Sequence, residues 1–160
     1  MAAMSPAPPI VFRLATRGDL PAIVQLLADD ELGAKRERNE TPLSESYHRA
    51  FAGIEAQPGN ELIVGDSDGR VVACLQLVVA PSIARQGAVR ATIESVRVAR
   101  DVRGRRLGER LVAFAIERAR GAGAALVQLT SDKSRGDAHR FYERLGFKAS
   151  HVGMKLDLRR

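Results

Sequence analysis

The 160-residue chain has one cysteine, Cys74, no tryptophan and only three histidines. A single thiol excludes an intramolecular disulfide and a cysteine-rich metal cluster, and no side chains stand at metal-ligand spacing. Long apolar runs are also missing. The best, Val71 to Ala80, is ten residues long and interrupted by Gln76, well short of the roughly 20 that span a bilayer. The opening MAAMSPAPPI has no positive charge ahead of an apolar stretch, which excludes a secretory signal. Residues 1–9 read as a disordered leader, and the setting implied is reducing and cytoplasmic, with no membrane partner. Aromatics are scarce, at five Phe and two Tyr, and none lies among the basic residues before Phe141 and Tyr142. Proteins that read single-stranded nucleic acid stack bases on exposed aromatics, so this scarcity weighs against such a reader.

What the chain does have is arginine. Lys plus Arg number 25 against 19 Asp plus Glu, a net charge of +6, with a pI near 10.2. Only Lys35, Lys133, Lys148 and Lys155 are lysines, and eight arginines crowd between Arg97 and Arg120. Such an excess suits an anionic partner: nucleic acid, a phosphorylated cofactor or an acidic surface. Hydrophobic residues make up 45% and charged residues 28%, a globular balance for one domain over 10–158.

Apolar spacing outlines the elements. Ile10 to Leu14 is strand-like; Thr16 offers a helix cap, followed by Pro21 and by Leu20, Ile23, Val24 and Leu27 at helical spacing. Residues 29–41 are too polar and irregular for a core element, and an amphipathic helix follows from Leu43 to Glu55, ended by Pro58-Gly59. Two apolar runs, Glu61 to Val64 and Val71 to Val79, flank a Gly-Asp-Ser turn and predict a hairpin. Arg90 to Val98 predicts a strand, Leu107 onward a helix stopped by Gly121 and Gly123, and Ala124 to Leu129 a buried strand. Asp137 would cap a short helix carrying Ala138, Phe141, Tyr142 and Leu145 on one face, and Phe147 to Leu158 would supply one or two final strands. This order predicts a mixed α/β layer structure.

Two segments carry chemistry. In Val98 to Leu111 a strand end passes through a basic, glycine-containing turn into a helix start. Unpaired N–H groups and the dipole at a helix start attract a diphosphate, glycines at 104 and 108 allow close approach, and Arg103, Arg105 and Arg106 add charge. The turn is neither a Walker loop nor a Rossmann fingerprint. In Asp137 to Phe147, Phe141 and Leu145 suit the core, while Tyr142 lies at the edge with a hydroxyl that needs a partner.

Together these segments resemble the GNAT superfamily of acyl-CoA-dependent N-acyltransferases, from Phe12 to Leu158 and most sharply from Ile93 to Phe147. The family signature Gln/Arg-x-x-Gly-x-Gly/Ala is met by Arg103, Leu107 and Gly108, with Arg106 in place of the usual glycine. The pattern Ala-x-x-Phe-Tyr-x-x-x-Gly-Phe is met in full by Ala138, Phe141, Tyr142, Gly146 and Phe147; Arg135 stands where many members have asparagine. The resemblance implies a single-domain, seven-stranded mixed, mostly antiparallel sheet flanked by helices, whose strands 90–98 and 124–130 splay apart. It implies acetyl-CoA as co-substrate, with pantetheine along Val96, Arg97 and Val98 and the pyrophosphate on Arg103, Gly104, Arg105, Arg106, Leu107 and Gly108. The acceptor amine would enter from the opposite mouth, walled by residues 28–45 and the hairpin, and Tyr142 would protonate the departing thiolate.

Transfer to an amine also needs a base, since an alkyl ammonium has a pKa near 10.4. Glu94 is the candidate. Strand alternation places it on the face of Val96 and Val98, where apolar neighbours would raise its pKa; an ordinary strand-edge glutamate paired with arginine is the equal alternative. His139 and His151 are not favoured as bases, His48 reads as a surface residue, and Cys74 as a small buried hydrophobe. Arg106 at a helix start is expected to adopt negative φ. The function implied is N-acetylation of a small-molecule amine by direct attack in a ternary complex. Acetylation of a protein amine and a non-catalytic CoA sensor are the alternatives, a homodimer is left open, and nucleic acid is not expected as a partner.

Overall fold

Runs with apolar side chains on alternate positions, or on all of them, become strands; those with three- and four-residue spacing become helices. The computed structural model describes residues 8–159, so most of the leader expected over 1–9 lies outside the described residues. The elements are β1 (Ile10–Leu14), a 3₁₀ turn (Arg17–Asp19), α1 (Leu20–Ala28), α2 (Glu31–Ala34), α3 (Glu45–Ala56), β2 (Asn60–Ser67) and β3 (Arg70–Ala80). There follow α4 (Ala84–Gly87), β4 (Val89–Val98), a 3₁₀ turn (Arg100–Val102), α5 (Leu107–Gly121), β5 (Ala124–Gln128) and α6 (Gly136–Arg144). No helix among the described residues is long and apolar enough to cross a membrane.

The sheet runs β1-β2-β3-β4-β5, antiparallel throughout except for the parallel β4–β5 pair, whose crossover is α5. The mixed, mostly antiparallel sheet with flanking helices is the fold expected. β3 is its centre: Val71 to Leu75 are buried without a break, the mark of a strand covered on both faces. Leu20, Ile23, Val24 and Leu26 of α1 and Leu107, Leu111, Val112, Ala115 and Ala119 of α5 supply buried partners in the same core.

Several expectations need correction. Thr16 caps the 3₁₀ turn, one turn ahead of α1. The stretch 29–41 is not all irregular, because Asp30 caps α2 by accepting from the Gly33 amide at 2.6 Å. Arg135, and not Asp137, holds the N-cap position of α6. The sheet has five strands among the described residues and not seven. Residues after Phe147 join no ladder, and Val152, Met154, Leu156 and Leu158 are all exposed.

One ion-pair cluster stitches the first strand to its neighbours. Arg13 on β1 donates to Asp19 at 2.7 and 3.0 Å and to Asp66 on β2 at 2.8 and 2.9 Å. Asp19 also accepts from the Thr16 amide at 2.7 Å. The Arg13 guanidinium, helped by Thr16 and opposed by burial, holds the Asp19 carboxyl down at about 2. A carboxyl depressed on folding contributes stability above its unfolded pKa and loses it as pH falls through the folded value. Stability should therefore fall between about pH 4 and pH 2 by roughly 1–2 kcal/mol on account of this group. In Asp19→Asn, urea melts across that range should show a correspondingly shallower decline together with lower stability at neutral pH.

Candidate active site

The site begins where two strands part. β4 and β5 pair from Val89–Ala124 to Thr92–Gln128, and beyond Thr92 the β5 side of β4 has no partner strand among the described residues. On its other side β4 stays bonded to β3, but with a bulge: Gln76 faces Glu94 and Cys74 faces Arg97, so Ser95 and Val96 share the place opposite Leu75. Ser95 takes φ +56°. An extra residue on one strand bends it and increases its local twist, which opens the gap between the strands. The splay expected between these strands is present.

The bulge overturns the environment expected for Glu94. Positive φ at Ser95 interrupts the alternation that was to place Glu94 with Val96 and Val98. Glu94 is exposed, whereas Val96 and Val98 are half-buried, so the apolar surroundings expected around its carboxylate are absent.

Below the gap lies the basic turn. Arg103 donates to the Val98 carbonyl at 3.0 Å, and Asp29 at the end of α1 gathers Arg100 at 3.1 Å and Arg103 at 3.6 Å. Gly104 has φ +80°, and the space where its Cβ would stand is open. Arg106 has φ +56°, contrary to the negative φ expected, which explains why glycine is the usual residue there in the resembled signature. Its side chain swings out to Glu109 at 2.7 Å. Leu107 is buried and anchors α5, so its side chain faces the core and only its backbone can serve a ligand. At Gly108 a Cβ would stand 3.3 Å from the Phe141 ring and 3.7 Å from Val98. Its smallness seats α6 against the start of α5.

Arg97 crosses the gap's floor. It donates to the Val96 carbonyl at 2.9 Å and meets Asp30 at 3.5 Å, while its Nε is buried with no partner among the described residues. Asp30 also pairs with Arg135 at the start of α6. Burial works against ionisation of Asp30, but the Gly33 amide and the two arginines outweigh it and keep its carboxyl below the usual range. One carboxylate thus joins α2, β4 and α6. Sequence reasoning missed it, although Asp-Asp-Glu ahead of Leu32 is a helix-start signal.

Tyr142 is half-buried, with its ring edge-on to Phe141 at 5.0 Å and to Phe147 at 5.8 Å. No hydrogen bond engages its hydroxyl among the described residues. Burial pushes its pKa above the phenol's ordinary 10, against the pull of Arg97 and Arg135, so it carries its proton throughout the neutral range. Burial likewise pushes the Cys74 thiol up to about 12, which suits the inert buried role expected of it. His139 is taken up by the Asp132 carbonyl at 2.8 Å and His151 by the Ser150 hydroxyl at 2.7 Å. His48 is half-buried, not a surface residue, and its Nδ1 has no partner among the described residues.

An unpaired strand edge, a helix N-terminus, a cluster of arginines and a protonated phenol fit an extended, phosphorylated thioester. Such a donor set is what an acyl-transfer cleft requires. A family model described as the Acetyltransferase (GNAT) family matches residues 20–147. The solved structure of a transcriptional regulator from Bacillus halodurans C-125 is 51% identical, with a TM-score of 0.91, covering 94% of this chain and 100% of that one. The aminoalkylphosphonate N-acetyltransferase of Salmonella typhimurium is 48% identical over 59 residues, 37% of this chain and 38% of its own length. The glucosamine 6-phosphate N-acetyltransferase of Trypanosoma brucei brucei is 37% identical over 90 residues, 56% of this chain and 59% of its own length. The match thus spans less than two thirds of either curated relative. This chain belongs to the GNAT acetyltransferase family, whose members use acetyl-CoA as co-substrate.

The left-handed Arg106 makes a direct prediction. A residue with a Cβ pays about 1–2 kcal/mol for that conformation, and a β-branched residue more. Arg106→Gly and Arg106→Val both remove the exposed pair with Glu109, so the difference between them isolates the backbone. In urea melts, Arg106→Gly should be the more stable of the two by about 1–2 kcal/mol.

Proposed function

We propose that this protein transfers the acetyl group of acetyl-CoA to the primary amine of a small molecule by direct attack in a ternary complex, and that its preferred acceptors carry a phosphate or phosphonate. The observation that carries the reading is the parting of β4 from β5 beside a basic helix start. Two further observations support the acceptor class. Both curated relatives are named for amines bearing an anionic phosphorus group. The acidic residues that might have received a basic peptide are engaged elsewhere: Asp29 with Arg100, Asp30 with Arg97 and Arg135, Glu31 with Lys35, Glu37 with Tyr47.

When bound, acetyl-CoA supplies an activated acetyl thioester. The backbone of Val96, Arg97 and Val98 would hold its pantetheine arm along the free edge of β4. Arg103, Gly104, Arg105 and Arg106, with the first amides of α5 at Leu107 and Gly108, would hold the diphosphate, because those N–H groups have no helical partners. Tyr142 keeps its proton at Oη and presents it to the departing sulfur. Glu94, exposed at the bulge, takes a proton from the acceptor ammonium, directly or through water. Its exposure suits a group that must meet an incoming polar substrate.

Acetyl-CoA should raise the melting temperature, and S-acetylpantetheine, which lacks the diphosphate, should raise it much less. Equal shifts would remove the phosphate cradle from residues 103–108. A CoA-release screen over aminoalkylphosphonates, amino-sugar phosphates and their dephosphorylated counterparts should favour the phosphorus-bearing amines in kcat/KM. Preference for the neutral counterparts would sink the acceptor class and leave acetyl transfer standing.

Tyr142→Phe removes one unpaired hydroxyl while the ring contacts remain. It should bind acetyl-CoA normally and lose roughly 10²–10⁴ in kcat, the usual contribution of a positioned acid. The wild-type enzyme should keep this proton donor until the pH passes 10, since the phenol is held above its ordinary value. Glu94→Gln should lower kcat/KM at neutral pH and recover where free amine is plentiful.

A second reading comes from the similarity to a protein described as a transcriptional regulator. The chain would then bind acetyl-CoA without turnover and act on nucleic acid. Several of its arginines are committed to carboxylates, among them Arg70, Arg100, Arg118 and Arg120, which leaves less charge for phosphate contacts. Salt-dependent DNA binding in a protein that releases no CoA with any acceptor would favour this reading.

A further inference from the structure

Two ion pairs of this protein show what a matched pair looks like. Asp101 takes Arg70 and Glu61 takes Arg118, each through two parallel bonds that cancel the charge. Asp30 is built differently. One of its oxygens faces two guanidinium groups, that of Arg97 on β4 at 3.5 Å and that of Arg135 at the start of α6. Its other oxygen accepts from the Gly33 amide at 2.6 Å. One carboxylate thus holds two guanidinium groups together and leaves one positive charge uncancelled. Asp29 also meets two arginines, but their side chains, Arg100 and Arg103, are 68% and 52% exposed, against 19% for Arg97 and 31% for Arg135.

The donors of this pair are not used up. Arg97 gives one nitrogen to the Val96 carbonyl at 2.9 Å and turns another to Asp30, while its buried Nε has no partner among the described residues. The side chain of Arg135 bonds to Asp30 alone among the described residues. A guanidinium offers several N–H donors in a fixed fork, and a buried charged donor without an acceptor is costly. Such a group marks a place where an acceptor arrives. The acceptor that suits two adjacent forks is an anion with several oxygens.

The cluster also lies where an acceptor amine has to come. Asp30 belongs to the segment 28–45, expected to wall the acceptor's mouth of the cleft. Arg97 stands between Val96 and Val98 on the part of β4 that has left β5, and Arg135 holds the N-cap position of the helix that carries Tyr142. Both arginines pull down the pKa of the Tyr142 hydroxyl against its burial, so the three groups share one neighbourhood. The diphosphate turn does not need them, since it has Arg103, Arg105 and Arg106 of its own. Arg135 is moreover a departure from the resembled family, many of whose members have a neutral asparagine there.

We propose that Arg97 and Arg135, clamped side by side by Asp30, grip the phosphate or phosphonate of the acceptor amine and are the residues that select it. The Nε–H of Arg97 and the remaining N–H groups of Arg135 donate to the anionic oxygens. Asp30 does not touch the substrate; it is a positioning residue that sets the two forks beside each other. With its anion fixed there, the acceptor turns its amine into the gap between the strands. The assignment rests on the acetyl-transfer reading and its acceptor class, and adds the side chains responsible.

The test compares Arg135→Asn and Arg97→Gln with the wild type on matched amines, aminoethylphosphonate against ethanolamine and glucosamine 6-phosphate against glucosamine. On the pair that the wild type turns over faster, the ratio of kcat/KM for the phosphorus-bearing amine over the neutral one should fall roughly 10–100-fold in each variant, chiefly through the acceptor's KM. Arg97→Lys keeps the charge and loses the fork, so its ratio should lie between those of wild type and Arg97→Gln. Calorimetry should show aminoethylphosphonate binding to the enzyme–CoA complex and weakening by a similar factor in both variants, a readout that needs no turnover. Acetyl-CoA should still raise the melting temperature of both, and Arg135→Asn carries the test alone if Arg97→Gln fails to fold. A wild type that prefers phosphorus-bearing amines, with variants that keep the preference, overturns this assignment and leaves the acceptor class standing. A wild type without that preference overturns both. Acetyl-CoA binding lost in step with the preference puts the two arginines on the cofactor and overturns the assignment as well.

Discussion

The bulge at Ser95 governs the functional half of this protein. β4 carries hydrogen-bonding groups on both edges, and one residue too many opposite Leu75 turns the strand away from β5 just after Thr92. Backbone N–H and C=O groups left without partners are costly when buried, so such an opening persists only where water or a ligand takes them up. The rest of the sheet makes the opening tolerable. β3 is buried on both faces, and it holds β4 rigid on the side away from the cleft. Ser95 at the bulge and Arg106 at the start of α5 both take a strained, positive φ. Strain of this kind survives where the surrounding structure over-determines it, which is why it gathers at sites.

Charge is organised around that opening more than it is spread over the surface. Asp29 and Asp30, adjacent in sequence at the junction of α1 and α2, each collect two arginines: Asp29 takes Arg100 and Arg103 from the segment after β4, and Asp30 takes Arg97 from β4 and Arg135 from the start of α6. These partly exposed pairs add little to overall stability. Their effect is positional: they tie the guanidinium groups of Arg97, Arg103 and Arg135 to the junction of α1 and α2. The net excess of +6 is therefore a poor guide to function by itself. Which arginines lack a carboxylate partner matters more than how many there are.

Local chemistry was legible from sequence, and distant chemistry was not. The hairpin of β2 and β3, the long helix after the basic turn and the strand behind it follow from spacing and turn residues within a few positions of each other. The motif through Ala138, Phe141 and Tyr142 placed α6 correctly as well. The failures have a common cause. Glu94 was assigned a face by alternation, and a bulge that depends on pairing with β3 reversed the assignment. Arg106 carried no local sign of a left-handed backbone, since arginine rarely adopts one. At Gly108 the packing role went unseen because nothing near it in sequence reveals Phe141, 33 positions later, lying where a Cβ would point. The final segment was read as a strand from its alternation. That pattern reports a tendency to pair and says nothing of whether a partner strand is in place.

The contact between Gly108 and Phe141 joins the two halves of the cleft. α6 has no buried residue of its own, so its position must be set by a few close contacts and not by a deep apolar face. Phe141 reaches the first turn of α5 only because position 108 lacks a side chain, and the next residue along the helix is Tyr142. The phenol and the basic turn are therefore placed by one pair of neighbours. A methyl group at 108 would force the ring to shift by a few tenths of an ångström, and the tyrosine would move with the helix that carries both. Under the proposed function, glycine at this position would set the place of Tyr142 as well as leave the backbone open to the diphosphate. The two roles are compatible, since a missing side chain both receives the Phe141 ring and leaves the amide uncovered.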